Sequence, residues 1–123
     1  MTRKARIYIA GPLNAMAVDY LKNVHNMIQT AERVRRAGYA VYVPAIDLLM
    51  GIVFGNYGYE EYFQNSQPWL DAADGVFLCE GWEKSSGTRR EIDRANSRNI
   101  PCVHDLGSLT GLVPVEIDDA PKT

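Results

Sequence analysis

This chain of 123 residues has only two cysteines, no excess of positive charge and no long apolar run. Its two cysteines, Cys79 and Cys102, have no Cys-x-x-Cys spacing and no nearby histidine pair, which argues against a zinc site and against a disulfide framework. The formal net charge of −2 provides no overall basic field for a nucleic-acid backbone. No apolar run approaches the roughly 18 residues of a membrane span. We therefore expect neither a nucleic-acid polymer nor a membrane among its partners.

Two common nucleotide-binding motifs are missing as well. The chain has neither a G-x-G-x-x-G fingerprint nor a Walker-type loop, so a dinucleotide or triphosphate site of either kind is not expected. His25 and His104 match no metal-ligand spacing, and each is interpreted as a structural or surface histidine. The N-terminus shows no signal-peptide pattern, which predicts a cytoplasmic protein. We expect no metal and no cofactor.

The composition is that of an ordinary globular protein, with 46% hydrophobic and 23% charged residues. The length fits one domain over residues 1–123, with a core at about 6–105 and a tail at 106–123 whose structure the pattern does not define. Apolar periodicity predicts strands and helices in alternation, with strands at 6–10, 39–43, 74–79 and 100–104 and helices at 19–37, 60–73 and 87–98. Segment 45–58, which carries three glycines, is predicted to be a mobile loop that includes one helical turn. The glycine-rich stretch 51–59 is interpreted as a lid or an interface loop, and its composition does not decide between the two. Residues 118–123 are predicted to be frayed.

This alternation predicts a single-domain α/β fold of the Rossmann or flavodoxin-like kind. It has three layers, with a parallel sheet and helices on both of its faces. Ligands in such sheets bind beyond the carboxyl ends of the strands. Segments 11–14, 44–47 and 80–91 should therefore converge at one edge. The candidate substrate contacts in these segments include Gly11, Pro12 and Asp47. Gly11 in particular would allow a ligand to approach the backbone closely.

The loop at 81–88 leads directly into a helix and contains several small hydroxyl residues. Free backbone N–H groups at a helix start form an anion site, and Ser85, Ser86 and Thr88 offer further donors around Gly87. The alternative is that these hydroxyl residues only cap the helix. Both interpretations remain open at this point.

Glu91 and Tyr8 are the candidate catalytic residues. Glu91 is expected near the start of the helix, where the dipole favours a charged carboxylate, and an ionised carboxylate can attack an anomeric carbon. The alternative is a surface glutamate that complements the dipole. Tyr8 lies in the first strand, and its hydroxyl either reaches the site or belongs to an ordinary strand aromatic.

Three segments together resemble the nucleoside 2-deoxyribosyltransferase superfamily, and above all its short members. They are the Tyr-Ile-Ala-Gly-Pro turn at 8–12, the Leu-Asp-Ala-Ala-Asp run at 70–74 and the Ser-x-Gly-x-x-x-Glu segment at 85–91. The superfamily includes nucleoside 5′-monophosphate N-glycosidases. The resemblance covers roughly residues 6–105, and the segment at 85–91 is its most specific part.

The resemblance implies roles for individual residues. Glu91 matches the nucleophile that attacks the anomeric carbon, and Tyr8 matches the tyrosine that orients it. Ser85 falls where the monophosphate hydrolases carry a phosphate-contacting serine and where the transferases tend to carry an aspartate. Ser66 stands where the superfamily often has an aspartate that helps to protonate the leaving base. Glu60, Glu61 and Asp71 are nearby carboxyl groups that could replace that acid.

These implications predict an enzyme that hydrolyses the N-glycosidic bond of a nucleoside or deoxynucleoside 5′-monophosphate. Two alternatives remain: transfer of the sugar to a second base, and a domain that binds a nucleotide without turning it over. The resemblance also implies a homodimer or a larger homo-oligomer in which a neighbour closes the pocket.

Overall fold

The computed structural model describes residues 1–13, 17–55 and 57–119, which form one small α/β domain. Its described strands are β1 (Thr2–Lys4), β2 (Arg6–Ala10), β3 (Ala40–Tyr42), β4 (Gly75–Leu78), β5 (Cys102–Val103) and β6 (Glu116–Asp118). Its described helices are α1 (Ala17–Arg36), α2 (Asp47–Phe54), α3 (Tyr59–Asp71), α4 (Ser86–Ser97) and α5 (Leu106–Leu112). None of these helices is both long enough and apolar enough to cross a bilayer.

The central sheet has four parallel strands in the order β3-β2-β4-β5, which confirms the predicted parallel α/β architecture. Apart from the exposed Arg6, the residues of its strands are apolar or aromatic, because both faces of the sheet are covered. Alternate side chains of β2 point to opposite faces, so Ile7 and Ile9 pack on one side and Tyr8 and Ala10 on the other. In register, Tyr8 lies between Tyr42 of β3 and Val76 of β4.

Each face of the sheet has its own core. On the first face, Met27 and Val34 of α1 and Leu109 of α5 pack against Ile7 and Ile9. On the second face, Leu70 of α3 and Ala95 of α4 pack against Tyr8 and Ala10. The candidate residues Tyr8 and Glu91 therefore belong to the face that α3 and α4 cover.

The two ends of the chain form structure that the sequence pattern did not indicate. Strand β1 pairs antiparallel with β6, with Thr2 opposite Asp118. Our prediction that the chain is frayed from residue 118 is therefore wrong for residues 118 and 119. Residues 120–123 lie outside the described part of the chain. Helix α5 and the residue after it add Leu109 and Val113 to the core, which extends the core beyond residue 105. Strand pairing between distant segments is invisible to local periodicity.

The prediction of a loop at 45–58 is corrected by the structure. A 3-10 turn at Pro44–Ile46 leads directly into α2, and Gly51 lies inside that helix. Helix α2 is apolar on nearly every side, so it lacks the helical period that would have revealed it. Its exposed apolar side chains are Leu49, Met50, Ile52, Val53 and Phe54.

Candidate active site

Tyr8 and Glu91 meet on the second face of the sheet. Tyr8 projects from β2 towards α4, where Glu91 is the sixth residue of the helix, and the tyrosine hydroxyl donates a hydrogen bond to Oε2 of Glu91. Burial, and then the neighbouring Glu91 charge, raise the pKa of Tyr8 well above its ordinary value. The phenol therefore keeps its proton and acts as a donor that fixes the position of the carboxyl group.

The electrostatics of Glu91 differ from the expectation that the helix dipole would favour its charge. Burial raises the pKa of Glu91 to about 7, and the hydrogen bond from Tyr8 opposes this rise. The dipole acts chiefly within the first turn of a helix, and Glu91 lies in the second turn of α4. The desolvation of a half-buried carboxyl group thus outweighs the dipole. A carboxyl group with such a pKa is partly ionised near neutral pH.

With Glu91 as the nucleophile that the resemblance implies, Tyr8→Phe should lower base release by about ten- to a hundredfold, because one lost hydrogen bond in a buried site costs about 1–3 kcal/mol. The same change should move the rise of kcat/KM with pH to higher pH, since the lost bond favours the charged form of Glu91. The measurement is a pH profile of both proteins. A lower rate with an unshifted profile would assign Tyr8 to packing alone.

Ser85 is the N-cap residue of α4. Its Oγ accepts hydrogen bonds from the backbone N–H of Thr88 at 3.2 Å and from the Thr88 hydroxyl at 2.9 Å. Capping is therefore present, as one of our two interpretations required. Capping uses only the acceptor capacity of the Ser85 hydroxyl, because a hydroxyl group also has one proton to donate. No residue in the described ranges accepts that proton.

The first backbone N–H groups of α4 are available as well. Within the described residues, the N–H groups of Ser86 and Gly87 have no acceptor, as is usual at a helix start. The adjacent arginines are engaged elsewhere, because Arg89 donates to the carbonyl oxygen of Glu83 and Arg90 pairs with Glu60. An anion here would meet backbone N–H and hydroxyl donors rather than a free guanidinium.

Gly11 and Pro12 link the loops that follow β2 and β4. A Cβ at Gly11 would lie 2.6 Å from the Cβ of Cys79, so glycine is needed there for packing alone. A Cβ added at Gly81 would lie 3.5 Å from the Cγ atom of Pro12, and the φ of +88° at Gly81 also favours glycine. These contacts hold the two strand ends together; Asn14, which we also predicted at this edge, lies outside the described residues.

Asp47 begins α2 just beyond β3, at the predicted edge of the sheet. The hydroxyl of Tyr42 lies 3.3 Å and 3.4 Å from its two carboxylate oxygens, and the Asn65 amide donates to it at 3.5 Å. Burial raises the pKa of Asp47, while the contacts with Asn65 and Tyr42 lower it. The carboxyl group is therefore positioned by α3 and β3 together.

Sequence reasoning missed a column of aromatic rings at this edge. Tyr42 stacks on Tyr8 with ring centroids 5.5 Å apart, and Trp69 of α3 stacks on Tyr42 at 5.7 Å. The column runs from Tyr8, which is hydrogen-bonded to Glu91, to the surface, where the side chain of Trp69 is 58% exposed. The available signal was the alternation of side chains in β3, which places Tyr42 on the same face as Tyr8.

Ser66 is buried, with 6% of its surface exposed, and lies beside Tyr8. Its hydroxyl donates to the carbonyl oxygen of Phe63 at 3.3 Å. Burial dominates the raised pKa of Tyr8, and a hydrogen bond with Ser66 opposes it. The structure thus places Ser66 next to the tyrosine–glutamate pair, although a serine hydroxyl is too weak an acid to protonate a leaving base.

The three carboxyl groups considered as replacements for that acid are engaged elsewhere. Glu60 pairs with Arg90 at 2.6 Å, and Glu61 accepts the Gly58 N–H in a capping box at the start of α3. Asp71 pairs with two arginines of the α4 region, Arg94 and Arg98, each at 2.9 Å. These groups join α3 to α4 or cap a helix.

A cavity of about 700 Å³ lies away from this pair, on the α1 side of the sheet. Thr30 and Arg33 of α1, Cys79 and His104 contribute to its wall, and Tyr8 and Glu91 do not. The tyrosine–glutamate pair therefore sits outside that cavity. In the part of the chain that the structure describes, no three His, Cys, Asp or Glu side chains are grouped as metal ligands.

Residues 5–104 match the family described as Domain of unknown function (DUF4406). The chain belongs to this family. The matched range contains every candidate site residue, from Tyr8 to Glu91, whereas β1, α5 and β6 lie outside it. No curated protein matches the chain. Membership of the DUF4406 family carries no activity with it, so the function has to be argued from the site.

Proposed function

We propose that this domain is an N-glycosidase that releases the base from a nucleoside or deoxynucleoside 5′-monophosphate. The observation that carries the proposal is the hydrogen bond from Tyr8 to Glu91, on the face of the sheet that α3 and α4 cover. A carboxyl group that is held by a buried phenol and titrates near pH 7 is suited to covalent catalysis at a sugar carbon.

In the first step, a carboxylate oxygen of Glu91 forms a bond to the anomeric carbon. The bond from that carbon to the base nitrogen breaks, and the base leaves with the electron pair and takes up a proton. In the second step, water attacks the same carbon and loses one proton, which balances the proton taken up by the base. The ester bond to Glu91 breaks, and the Glu91 carboxylate is restored. Tyr8 holds Glu91 in place throughout both steps.

The start of α4 is the proposed site for the phosphate. Glu91 lies six positions after Ser85, which is about 9 Å along a helix and matches the scale of a sugar 5′-phosphate. The Ser85 proton and the N–H groups of Ser86 and Gly87 supply donors without adding negative charge. A nucleotide could therefore span the helix start with its anomeric carbon at Glu91.

The fold supports this proposal only in a general way. The parallel strand order β3-β2-β4-β5 is compatible with a three-layer Rossmann-like arrangement. In such folds ligands bind at the carboxyl ends of the strands, which is where Asp47 and the 80–91 segment follow β3 and β4. The resemblance of segments 8–12, 70–74 and 85–91 to the nucleoside 2-deoxyribosyltransferase superfamily points to the same chemistry.

The direct test is incubation of the purified protein with a panel of ribo- and deoxyribonucleoside 5′-monophosphates, followed by chromatography for free base and sugar phosphate. Release of base supports the proposal. Adding a second free base distinguishes transfer from hydrolysis, because a transferase would form a new nucleotide. Binding of a nucleotide without base release would favour the non-catalytic alternative, which Ser66 in the acid position keeps open.

We also propose that the active unit is a homo-oligomer, since the apolar side chains of α2 are exposed in the single chain. Sedimentation should show a dimer or larger species at assay concentration, and Val53→Asp should shift it towards monomer. Leu112→Asp, on the exposed Leu112 of α5, is the matched control. A fully active wild-type monomer would remove this proposal.

A further inference from the structure

Breaking a glycosidic bond to a neutral base requires a proton for the leaving nitrogen. The described neighbours of the Tyr8–Glu91 pair are poor proton donors. Ser66 is too weak an acid, and burial together with Asp47 raises the pKa of Tyr42 to about 12. Glu60 and Asp71 are paired with arginines, which lower the pKa values of both carboxyl groups and keep them ionised. A proton donor must therefore come from another element.

Asp47 has the environment that such a donor needs. No basic side chain within the described ranges pairs with it; Tyr42 and Asn65 contact it directly, and Tyr20 of α1 faces it as well. Burial raises the pKa of Asp47, so it binds a proton more readily than an exposed aspartate does. Asp47 and Glu91 each combine a raised pKa with a hydrogen bond from a tyrosine of the aromatic column.

The aromatic column connects the two carboxyl groups. Tyr8 and Tyr42 lie opposite each other in neighbouring parallel strands and their rings stack. The Tyr8 hydroxyl donates a hydrogen bond to Glu91, and the Tyr42 hydroxyl donates one to Asp47. The two phenolic oxygens are close enough for Tyr42 to add to the raised pKa of Tyr8, after burial and Glu91. One stacked pair of tyrosines thus contacts both carboxyl groups on one face of the sheet.

We propose that Asp47 is the general acid that protonates the departing base, an inference that rests on the proposed N-glycosidase function. As the bond from the anomeric carbon to the base nitrogen breaks towards the base, the Asp47 carboxyl proton passes to the base. The Asp47 carboxylate then takes a proton from the water that attacks the Glu91 ester, which returns Asp47 to its acid form. Tyr42 and Asn65 position the group.

This assignment places the base beside Tyr42 and Trp69. The exposed indole of Trp69 offers a face on which a planar base can stack, and it continues the column that leads from Tyr8. The base would then bring its ring edge towards Asp47 while its sugar lies towards Glu91. The substrate class is a nucleotide whose natural base needs a proton in order to leave.

The test compares two substrates with the wild type and Asp47→Asn. One substrate is a nucleoside monophosphate that the wild type cleaves, and the other is the 4-nitrophenyl glycoside of the same sugar 5-phosphate, whose leaving group departs without a proton. Asp47→Asn should lower kcat/KM for the nucleotide by about 10²–10⁴-fold. The kcat/KM of the nitrophenyl glycoside reports only the formation of the Glu91 ester, which needs no proton from Asp47 with this leaving group. It should therefore be nearly unchanged, which also shows that the variant is folded.

Two further variants sharpen the comparison. Asp93→Asn, on the exposed side of α4, should leave both rates unchanged, and Asp47→Glu should recover part of the nucleotide rate because it retains a carboxylic acid. Equal loss on both substrates, or an intact nucleotide rate in Asp47→Asn, would overturn the role of Asp47 while leaving the proposed function standing. Failure of the wild type to release base from any nucleotide would overturn both.

Discussion

Glu91→Gln is expected to abolish base release, with a loss of at least about 10³-fold in kcat, because the amide keeps the shape of the side chain but is not a nucleophile. The carbonyl oxygen of the introduced amide can still accept the hydrogen bond from Tyr8, so the geometry of the pair should survive. The measurement is free base released per enzyme under saturating nucleotide. No ester of sugar and enzyme should accumulate in the variant.

The same variant should be more stable than the wild type above neutral pH. The folded-state pKa of Glu91 is about 7 against an ordinary value of 4.5, so the folded protein binds this proton more tightly than the unfolded chain. The stability that this proton provides is complete below pH 4.5 and is lost as pH rises through about 7. Glutamine never ionises, so at pH 8 it should add about 1–3 kcal/mol to the free energy of unfolding.

Denaturant unfolding at pH 8 and at pH 4.5 measures this difference. The advantage of Glu91→Gln should be largest at pH 8 and should shrink towards zero at pH 4.5. Glu116→Gln makes the same chemical change on exposed β6 and should show no comparable pH-dependent gain. Wild-type turnover in Glu91→Gln would rule out the covalent mechanism, and a stability difference independent of pH would contradict the burial of its charge.

The predictable part of the fold is the part with local periodicity. The parallel strands and the helices α1, α3 and α4 follow from apolar patterns that each element carries within itself. Helix α2 was missed because its residues are apolar on nearly all sides and Gly51 interrupts them, so no helical period emerges. The β1–β6 pair was missed because each strand has three residues and the register of Thr2 with Asp118 joins opposite ends of the chain.

The candidate site divides along a similar line. Asp47 and the 80–91 segment could be placed at one edge because the carboxyl ends of parallel strands meet there. The resemblance, rather than any spacing, linked Tyr8 to Glu91. The contact of Asp47 with Tyr42 and Asn65 could not be foreseen, since it depends on where α2 and α3 pack. The raised pKa of Glu91 was likewise hidden, because burial depends on neighbours that are distant in sequence.

Wild-type protein should prefer 5′-monophosphates over the matching free nucleosides by more than about tenfold in kcat/KM, since one charge-assisted hydrogen bond contributes about 1.5–3 kcal/mol. Ser85→Asp should erase or invert this preference. An aspartate at the N-cap can still accept the Thr88 N–H, so α4 remains capped. Its negative charge would nevertheless face the phosphate and repel it.

Ser85→Asn is the matched control, because asparagine has nearly the same shape as aspartate and is an equally good N-cap residue, but is neutral. It should retain most of the preference for the monophosphate, whereas Ser85→Asp should lose it at the same helix stability. The four measurements needed are kcat/KM for one nucleoside and its monophosphate with each variant, set against the wild type. Equal values for the two substrates on the wild type would refute the phosphate site. Equal losses in Ser85→Asn and Ser85→Asp would show instead that Ser85 acts only through the cap, because charge is the main difference between the two side chains.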